Sequence, residues 1–472
     1  MNGGSFQAAS GITEWQAALN LAPGTNVLIA RSLDLDGNSS ATVERRFIYA
    51  PTAPLLLAVN GNGSIVPDLS GQSLELGATY VITAAPDAGN VFTSWSGSTI
   101  ASNGTLTFTM QPGLVFVANF TTGPTNVVIP PPTTTNLLPL AKGTFYGLFH
   151  EEGGARPHSA GSLILSATDK GRFTATIEVA GRTLPFTGQF SNEGRATNTV
   201  TRTGTNALQV TLRVNLTNGA DRVVGEVSNG DWISEILAEK NIFHARTNPA
   251  PFAGRYTILI PGATETDVCP TGDGYGTVVV AASGLVTVTA TLADGTKISE
   301  KVGVGRSGYW PLYTPLYSGQ GCLISWLRLI ERDSDDITGL MNWFKPAVPR
   351  AKLYPDGFAL ETTALGSSYT PPVTRTNRVL NFESGFVELS GGNLPFSFAN
   401  DVQLTSANKV LNLGSNKLTL TISTSSGLFS GTTVNPATKK IVSFRGALLQ
   451  KGNYGAGMFT GTNQIGRVTF GP

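Results

Sequence analysis

From residue 140 to the C-terminus, apolar and polar positions alternate with a period of two. Phe173, Ala175, Ile177 and Val179 share one side of their segment, and Thr174, Thr176 and Glu178 share the other. Such alternation predicts antiparallel strands with one face toward a core and one toward water. The apolar runs are short, and Gly, Asn, Asp, Ser and Thr crowd the gaps between them. That predicts tight turns, because glycine supplies positive φ and Asn and Asp tolerate it. Earlier in the chain, residues 15–29, 33–38 and 41–49 read as apolar-alternating strands, with the Asp36-Gly37 turn between the last two. Residues 55–120 read as short strands with turns at Asn60-Gly61, Gly77, Ala88-Gly89 and Asn103-Gly104, and with Phe92 and Trp95 as core anchors. Only residues 232–240 also fit a short helix. The expected fold class is all-β: small β modules, then a large antiparallel meander of repeated hairpins. Barrel and sandwich both bury the apolar faces, and both remain open.

The meander repeats itself. Ile177-Glu-Val-Ala-Gly181-Arg-Thr-Leu184-Pro185-Phe186-Thr187 aligns without a gap on Val387-Glu-Leu-Ser-Gly391-Gly-Asn-Leu394-Pro395-Phe396-Ser397. A third copy carries its turn at Asp294-Gly295, and a fourth sets Val442, Phe444, Gly446 and Leu448 against Leu184, Phe186, Gly188 and Phe190. A second motif runs from Thr211-Leu-Arg-Val214 to Asp221, and again from Trp326-Leu-Arg-Leu329 to Asp335. Gly295 follows Gly181, and Asp335 follows Asp221, at one interval of 114 residues (295 − 181 and 335 − 221). Two landmarks at one offset predict a tandem duplication.

Three stretches resemble known bacterial modules. Residues 12–50, with Trp15, Leu19, Leu21, Gly24, Asn26, Asp34, Asp36-Gly37-Asn38 and Tyr49, resemble the second half of a bacterial Ig-like domain. A full sandwich of that kind needs about seven strands; here there is room for three, so the chain is expected to begin inside a domain. Val59-Asn60-Gly61-Asn62-Gly63, Leu76-Gly77, Phe92-Thr-Ser-Trp95-Ser-Gly97 and Ala118-Asn119-Phe120 closely resemble the divergent internalin B-repeat module. This second resemblance implies a small, non-catalytic spacer of bacterial surface proteins. The repeat region resembles β-rich repeats near the C-termini of large exported bacterial proteins. Between them, Pro130-Pro131-Pro132-Thr133-Thr134-Thr135 predicts an extended linker, because proline fixes φ and removes donors. The expected organisation is therefore 1–51 partial Ig-like domain, 53–121 B-repeat-like module and 122–139 linker. Repeat copies follow at 140–250, 251–352 and, more diverged, 353–472.

Composition narrows the function classes. Charged residues make up 13 % of the 472 and the formal net charge is +1, so no global field draws the chain to nucleic acid. No apolar run approaches the ~20 residues of a membrane helix, and no membrane insertion is expected. Met1-Asn-Gly-Gly-Ser-Phe6 lacks the basic start and apolar stretch of a signal peptide. The expectation is a fragment of an exported protein, with the signal peptide upstream of Met1. Cys269 and Cys322 are the two cysteines; one disulfide and two free thiols are both open.

Candidate chemistry is sparse. His150-Glu151-Glu152 looks like an acid/base cluster, but the glycines after it make it a flexible loop. Glu331, Asp333, Asp335 and Asp336 form an acidic turn that could hold calcium; the aligned turn keeps only Asp221, so the duplicated feature reads as the turn and not the charge. Asp34, Asp36 and Asn38 likewise read as a turn. No catalytic or metal-binding constellation and no cofactor motif is found. The remaining candidate for ligand binding is Tyr309, Trp310, Tyr313 and Tyr317, four aromatics in nine residues between glycines, with Pro311 and Pro315 among them. Rings in a stiff loop can stack on a sugar or peptide; they can equally plug a barrel end or pack between sheets. The expected role is a non-enzymatic module string of an exported bacterial surface protein, for adhesion, display or spacing, meeting a surface ligand that is glycan or protein. The alternative is a carbohydrate-binding accessory region of a secreted polysaccharide-degrading enzyme.

Overall fold

The computed structural model describes residues 6–7, 9, 17, 19, 24–32, 39–40, 42–49, 51–122, 138–216, 220–264, 268–373 and 377–472. The chain divides into two compact units, Met1–Thr134 and Thr135–Pro472. In the first unit Gly24–Ala30 pairs antiparallel with Val43–Tyr49. Trp15 and Asp34 to Asn38 of the expected Ig-like segment lie outside the described residues, as does nearly all of the expected linker.

Residues 52–122 form the small module. Leu56–Asn60, Val115–Thr122 and Asn90–Gly97 make one sheet, and Gly63–Val66, Thr79–Pro86 and Thr105–Thr109 another. Trp95 is fully buried, with Phe92 and Phe120 packed around it. Its indole N–H donates to the Asn103 carbonyl at 3.1 Å. The Asn60-Gly61 turn needs its glycine: φ is +91°, and a Cβ there would run into the Phe120 carbonyl.

The second unit is three eight-stranded antiparallel sheets, each nearly closed into a barrel. The first comprises Gly143–His150, Gly161–Ala167, Arg172–Val179, Arg182–Gln189, Arg195–Val200, Leu208–Val214, Arg222–Ser228 and Ile233–Asn241. The second comprises Gly254–Ile260, Gly274–Val280, Leu285–Thr291, Lys297–Gly303, Tyr309–Leu316, Gly321–Leu329, Ile337–Lys345 and Phe358–Ser368. The third comprises Ser384–Gly391, Phe398–Leu404, Val410–Asn412, Thr419–Ser423, Leu428–Val434, Ile441–Leu449, Tyr454–Thr460 and Ile465–Gly471. In the first two the strand order is 4-3-2-1-8-7-6-5, and in the third it is 3-2-1-8-7-6-5-4. First and last strands pair in all three, and one seam is left, between the fourth and fifth strands in the first two and between the third and fourth in the third. Side chains bridge that seam: Asn198 Nδ2 donates to the Thr187 carbonyl at 2.9 Å in the first barrel, and Thr314 Oγ1 to Glu300 Oε1 at 3.0 Å in the second.

The period-two pattern sets the inside. Phe173, Ala175, Ile177 and Val179 are all buried in the first core with Phe145, Leu163 and Val210. Each of the larger side chains among them contributes roughly 1.5–3 kcal/mol through burial. Apolar inside and polar outside is the reverse of a membrane-spanning barrel. No helix among the described residues is long and apolar enough to cross a membrane.

The duplication is visible as geometry. Gly181 and Gly295 both lie in the turn between third and fourth strands, and Asp221 and Asp335 both lie in the connection between sixth and seventh. Glycines of positive φ after the second strand, Gly171 and Gly284, accept from the Phe190 and Val304 amides, each at 2.9 Å. Other expectations change. The second barrel runs past the boundary expected at residue 352, because Phe358–Ser368 pairs with both Gly254–Ile260 and Ile337–Lys345. Val387 to Ser397 begins on a first strand, where Ile177 to Thr187 spans the third and fourth; Val442 to Leu448 is a sixth strand, where Leu184 to Phe190 is a fourth. Hairpins share one local grammar, so sequence matched them across different stations of the barrel. Residues 232–240, which also fitted a helix, fall within the strand Ile233–Asn241 apart from Trp232.

Candidate functional site

The aromatic run is a strand and not a loop. Tyr309–Leu316 is the fifth, seam-edge strand of the second barrel, and Tyr317–Gly319 is a 3-10 turn after it. Two prolines fit there because an edge strand needs no backbone donor on its open side. The strand then sends its rings to opposite faces. Trp310, with Leu312, packs inside the barrel and is fully buried. Tyr313 points outward but is covered by the first barrel, clustering with Leu148, Ala160, Cys322 and Ile324, and keeps 3 % of its surface. Tyr309 is half-buried beneath the Arg328 guanidinium, 4.9 Å from the ring centre. A ligand cannot reach Trp310 or Tyr313 in this arrangement, which corrects the stacking-loop expectation for those two.

Tyr317 belongs to a buried polar cap at one end of the second barrel. Its hydroxyl donates to Asp294 Oδ2 at 2.6 Å and accepts from the Trp343 indole N–H at 3.1 Å. Lys345 Nζ lies 3.1 Å from the same Asp294 oxygen and 4.4 Å from the Tyr317 ring centre. The Asp294 and Lys345 side chains are only 2 % and 9 % exposed, so this is an interior ion pair. Burial works to raise the Asp294 carboxyl, but the hydrogen bonds from Tyr317 and Thr296 and the Lys345 charge outweigh it and hold it low. Burial, then the Asp294 charge, pushes the Tyr317 phenol up. The cap closes the barrel; its groups are spent on one another.

The acidic turn also has a structural occupation. Arg332 Nε donates to Asp335 Oδ1 at 3.0 Å, and Lys451 of the third barrel reaches Asp336 Oδ1 at 2.6 Å. In the aligned turn of the first barrel, Asp221 Oδ2 receives Arg306 of the second barrel at 3.0 Å. In both copies, then, a carboxylate of the turn grips a cation on the following barrel. The two gripping carboxylates are not equivalent positions, because Asp336 aligns with Arg222 and the counterpart of Asp221, Asp335, pairs with Arg332 of its own turn. Glu331 and Asp333 are exposed, and no group of three or more His, Cys, Asp or Glu side chains able to hold a metal occurs among the described residues.

Around His150 the chain makes a bridged turn, Glu151 with Gly154, and Glu151 accepts from Ser159 Oγ at 2.5 Å. His158 lies 3.9 Å from the same carboxylate and is largely exposed. The two cysteines are free and sit in different joints: Cys322 between the first and second barrels, Cys269 beside the second and third. Burial pushes the Cys322 thiol up to about 12, which removes the thiolate needed for reactivity.

One cleft lies where sequence offered no signal, between the second and third barrels. It measures about 310 Å³ and is lined by Cys269, Thr271, Tyr354, Gly392 and Arg467. Its polar groups are engaged: Arg467 with Asp273 at 2.9 Å, Thr271 Oγ1 with the Ile465 carbonyl at 2.9 Å, and the Tyr354 hydroxyl with the Ile465 amide at 2.9 Å. A more open groove of about 570 Å³ flanks the first barrel's seam at Phe190, Glu193 and Arg195.

These features define a class: an all-β protein in which a small β module precedes three near-barrels whose most suggestive side chains tie barrel to barrel. Residues 55–124 match the divergent InlB B-repeat domain, a kind of module that occurs in bacterial surface proteins. The chain matches no curated protein. Among solved structures it is similar to the isotype 1 transferrin binding protein B of serogroup B Neisseria meningitidis, at 8 % identity over 87 % of this chain and 88 % of that one, with a TM-score of 0.19. It is also similar to endo-1,5-alpha-L-arabinanase from Thermotoga petrophila RKU-1, at 9 % identity over 89 % of this chain and 100 % of that one, with a TM-score of 0.18. Scores so low support no inference about fold or function.

Proposed function

We propose that this chain is a non-enzymatic string of modules from an exported bacterial cell-surface protein, serving adhesion, display or spacing. The InlB B-repeat match at residues 55–124 carries the reading. Three apolar-cored barrels joined by ion pairs support it, because such a string sets distance without needing a site. Antibodies raised against residues 138–472 test it on intact cells that express the full gene. Labelling that is lost on brief surface proteolysis is expected; labelling only after lysis would sink the proposal. The carbohydrate-binding alternative keeps a half-buried Tyr309 as its aromatic platform, since Trp310 and Tyr313 are covered. A glycan array on the chain, with Tyr309→Ala as control, decides that reading.

A further inference from the structure

Three arginines of the first barrel have no partner in the chain. Arg172 opens the third strand, Arg195 opens the fifth, and Arg213 stands near the end of the sixth, so all three lie at one end of the barrel. Their neighbours Phe173, Ala196 and Leu212 turn toward the core, which sets the arginines on the outer face. All three are exposed, and none is within salt-bridge distance of a carboxylate or donates a side-chain hydrogen bond among the described residues. Other arginines of this barrel are engaged: Arg222 with Glu239 at 3.0 Å, and Arg182 and Arg202 with the Thr203 and Asn206 carbonyls, each at 2.7 Å.

Arg195 and Arg213 are direct partners across their strand pair. Like charges so placed cost an antiparallel sheet free energy. The second barrel fills the same station differently. Tyr309 lies 114 residues after Arg195 (309 − 195) and faces Arg328, whose guanidinium sits 4.9 Å from the ring centre. In the first barrel a second arginine stands where that ring would be. The groove of about 570 Å³ at the seam runs beside the pair, lined by Arg195 and by the amides and hydroxyls of Gln189, Ser191, Asn192 and Thr197. Arg172 faces Gln189 on the other bank. The Phe190 ring in the lining keeps 1 % of its surface. Glu193, at the turn before Arg195, lines the groove as well.

We propose that this groove binds an acidic polysaccharide, with its sulfate or uronate groups on Arg195 and Arg213 and its hydroxyls on the polar lining. A guanidinium fork suits such groups because two parallel N–H bonds meet two oxygens. Binding would also offset the repulsion that the sheet carries between the two arginines. Nucleic acid is the poorer fit, since the groove has no exposed ring on which a base could stack. The inference gives the adhesion reading a ligand class and rests on that reading for its setting. Binding by the purified chain and labelling of intact cells are independent measurements, so either reading can fail alone.

Titration of the full chain with heparin and with polygalacturonate tests the proposal, and the preferred polymer separates sulfate from uronate. At least one is expected to bind at low ionic strength and to weaken as salt rises. Arg195→Gln combined with Arg213→Gln should weaken binding about tenfold or more. Glu193→Gln, which removes the negative charge from the groove, should strengthen it. Arg182→Gln, at the opposite end of the same barrel, should change it by less than about twofold. The double variant removes a like-charge pair, so its unfolding midpoint should hold or rise, and a loss of binding is then not a loss of fold. Three results overturn the proposal: no binding of either polymer, an equal loss with Arg182→Gln, or single-stranded DNA bound as tightly with the same arginine dependence.

Discussion

Lys451 of the third barrel places its ammonium 2.6 Å from Asp336 Oδ1 of the second, in a spot where the aspartate side chain is 9 % exposed. The same nitrogen donates to the Arg332 carbonyl at 2.8 Å, and the Ser368 amide donates to the other Asp336 oxygen at 2.6 Å. A lysine so placed is a rivet, because its removal leaves a nearly buried carboxylate to be desolvated without compensation. Lys451→Met is expected to destabilise the joined second and third barrels by about 2–4 kcal/mol. Asp336→Asn, which keeps an acceptor, should cost less. Urea unfolding of the two variants checks the order, and equal costs would mean that the ion pair is not what holds the joint.

Trp310 and Tyr309 are neighbours in sequence with opposite fates. Trp310→Ala empties a core position and is expected to cost about 3–5 kcal/mol. Tyr309→Ala removes a half-buried ring and a cation contact, and should cost about 1 kcal/mol. Unfolding midpoints of the two variants test the assignment of inside and outside along this strand. Similar costs would contradict it.

The polar cap should show itself in acid. The Asp294 carboxyl is held low in the folded chain, so the folded state binds fewer protons there than the unfolded one. Its contribution is present above the ordinary aspartate value of about 3.9 and is lost as pH falls through the lower folded value. The second barrel should therefore lose stability below about pH 4, and Asp294→Asn should flatten that part of the profile while lowering stability at neutral pH. Calorimetry across this range measures both, and an unchanged acid slope in the variant would refute the assignment.

In the small module, Gly61→Ala is expected to cost about 1–3 kcal/mol or more, since alanine would be held at φ +91° with its methyl against the Phe120 carbonyl. Gly71, also at positive φ but with open space around its Cβ position, should cost less on the same change. Thermal unfolding of the two variants separates backbone strain from steric contact.

The candidate chemistry is local in sequence but its partners are distant in the chain. Pro311 and Pro315 look like loop stiffeners to a reader who does not know that their strand is an edge. Asp335 and Asp336 look like a calcium turn to one who cannot see Lys451, more than a hundred residues away. The hairpin at Ile177 to Thr187 matches Val387 to Ser397 because both obey the same turn chemistry, although they stand at different places around their barrels.

By itself the sequence determined the all-β class, the inward side of strands such as Phe173 to Val179, a B-repeat-like module at residues 53–121 and the interval of 114 residues between copies. All of these follow from short-range rules: side-chain alternation, turn residues and direct repetition. Tertiary structure alone decided that each eight-strand meander pairs its first strand with its last, and that the second barrel extends to Ser368. It alone decided that Tyr313 and Cys322 face another barrel. Those outcomes depend on which distant strands and charges meet, and a one-dimensional pattern of apolar and polar residues does not encode the partner of an edge or of a carboxylate.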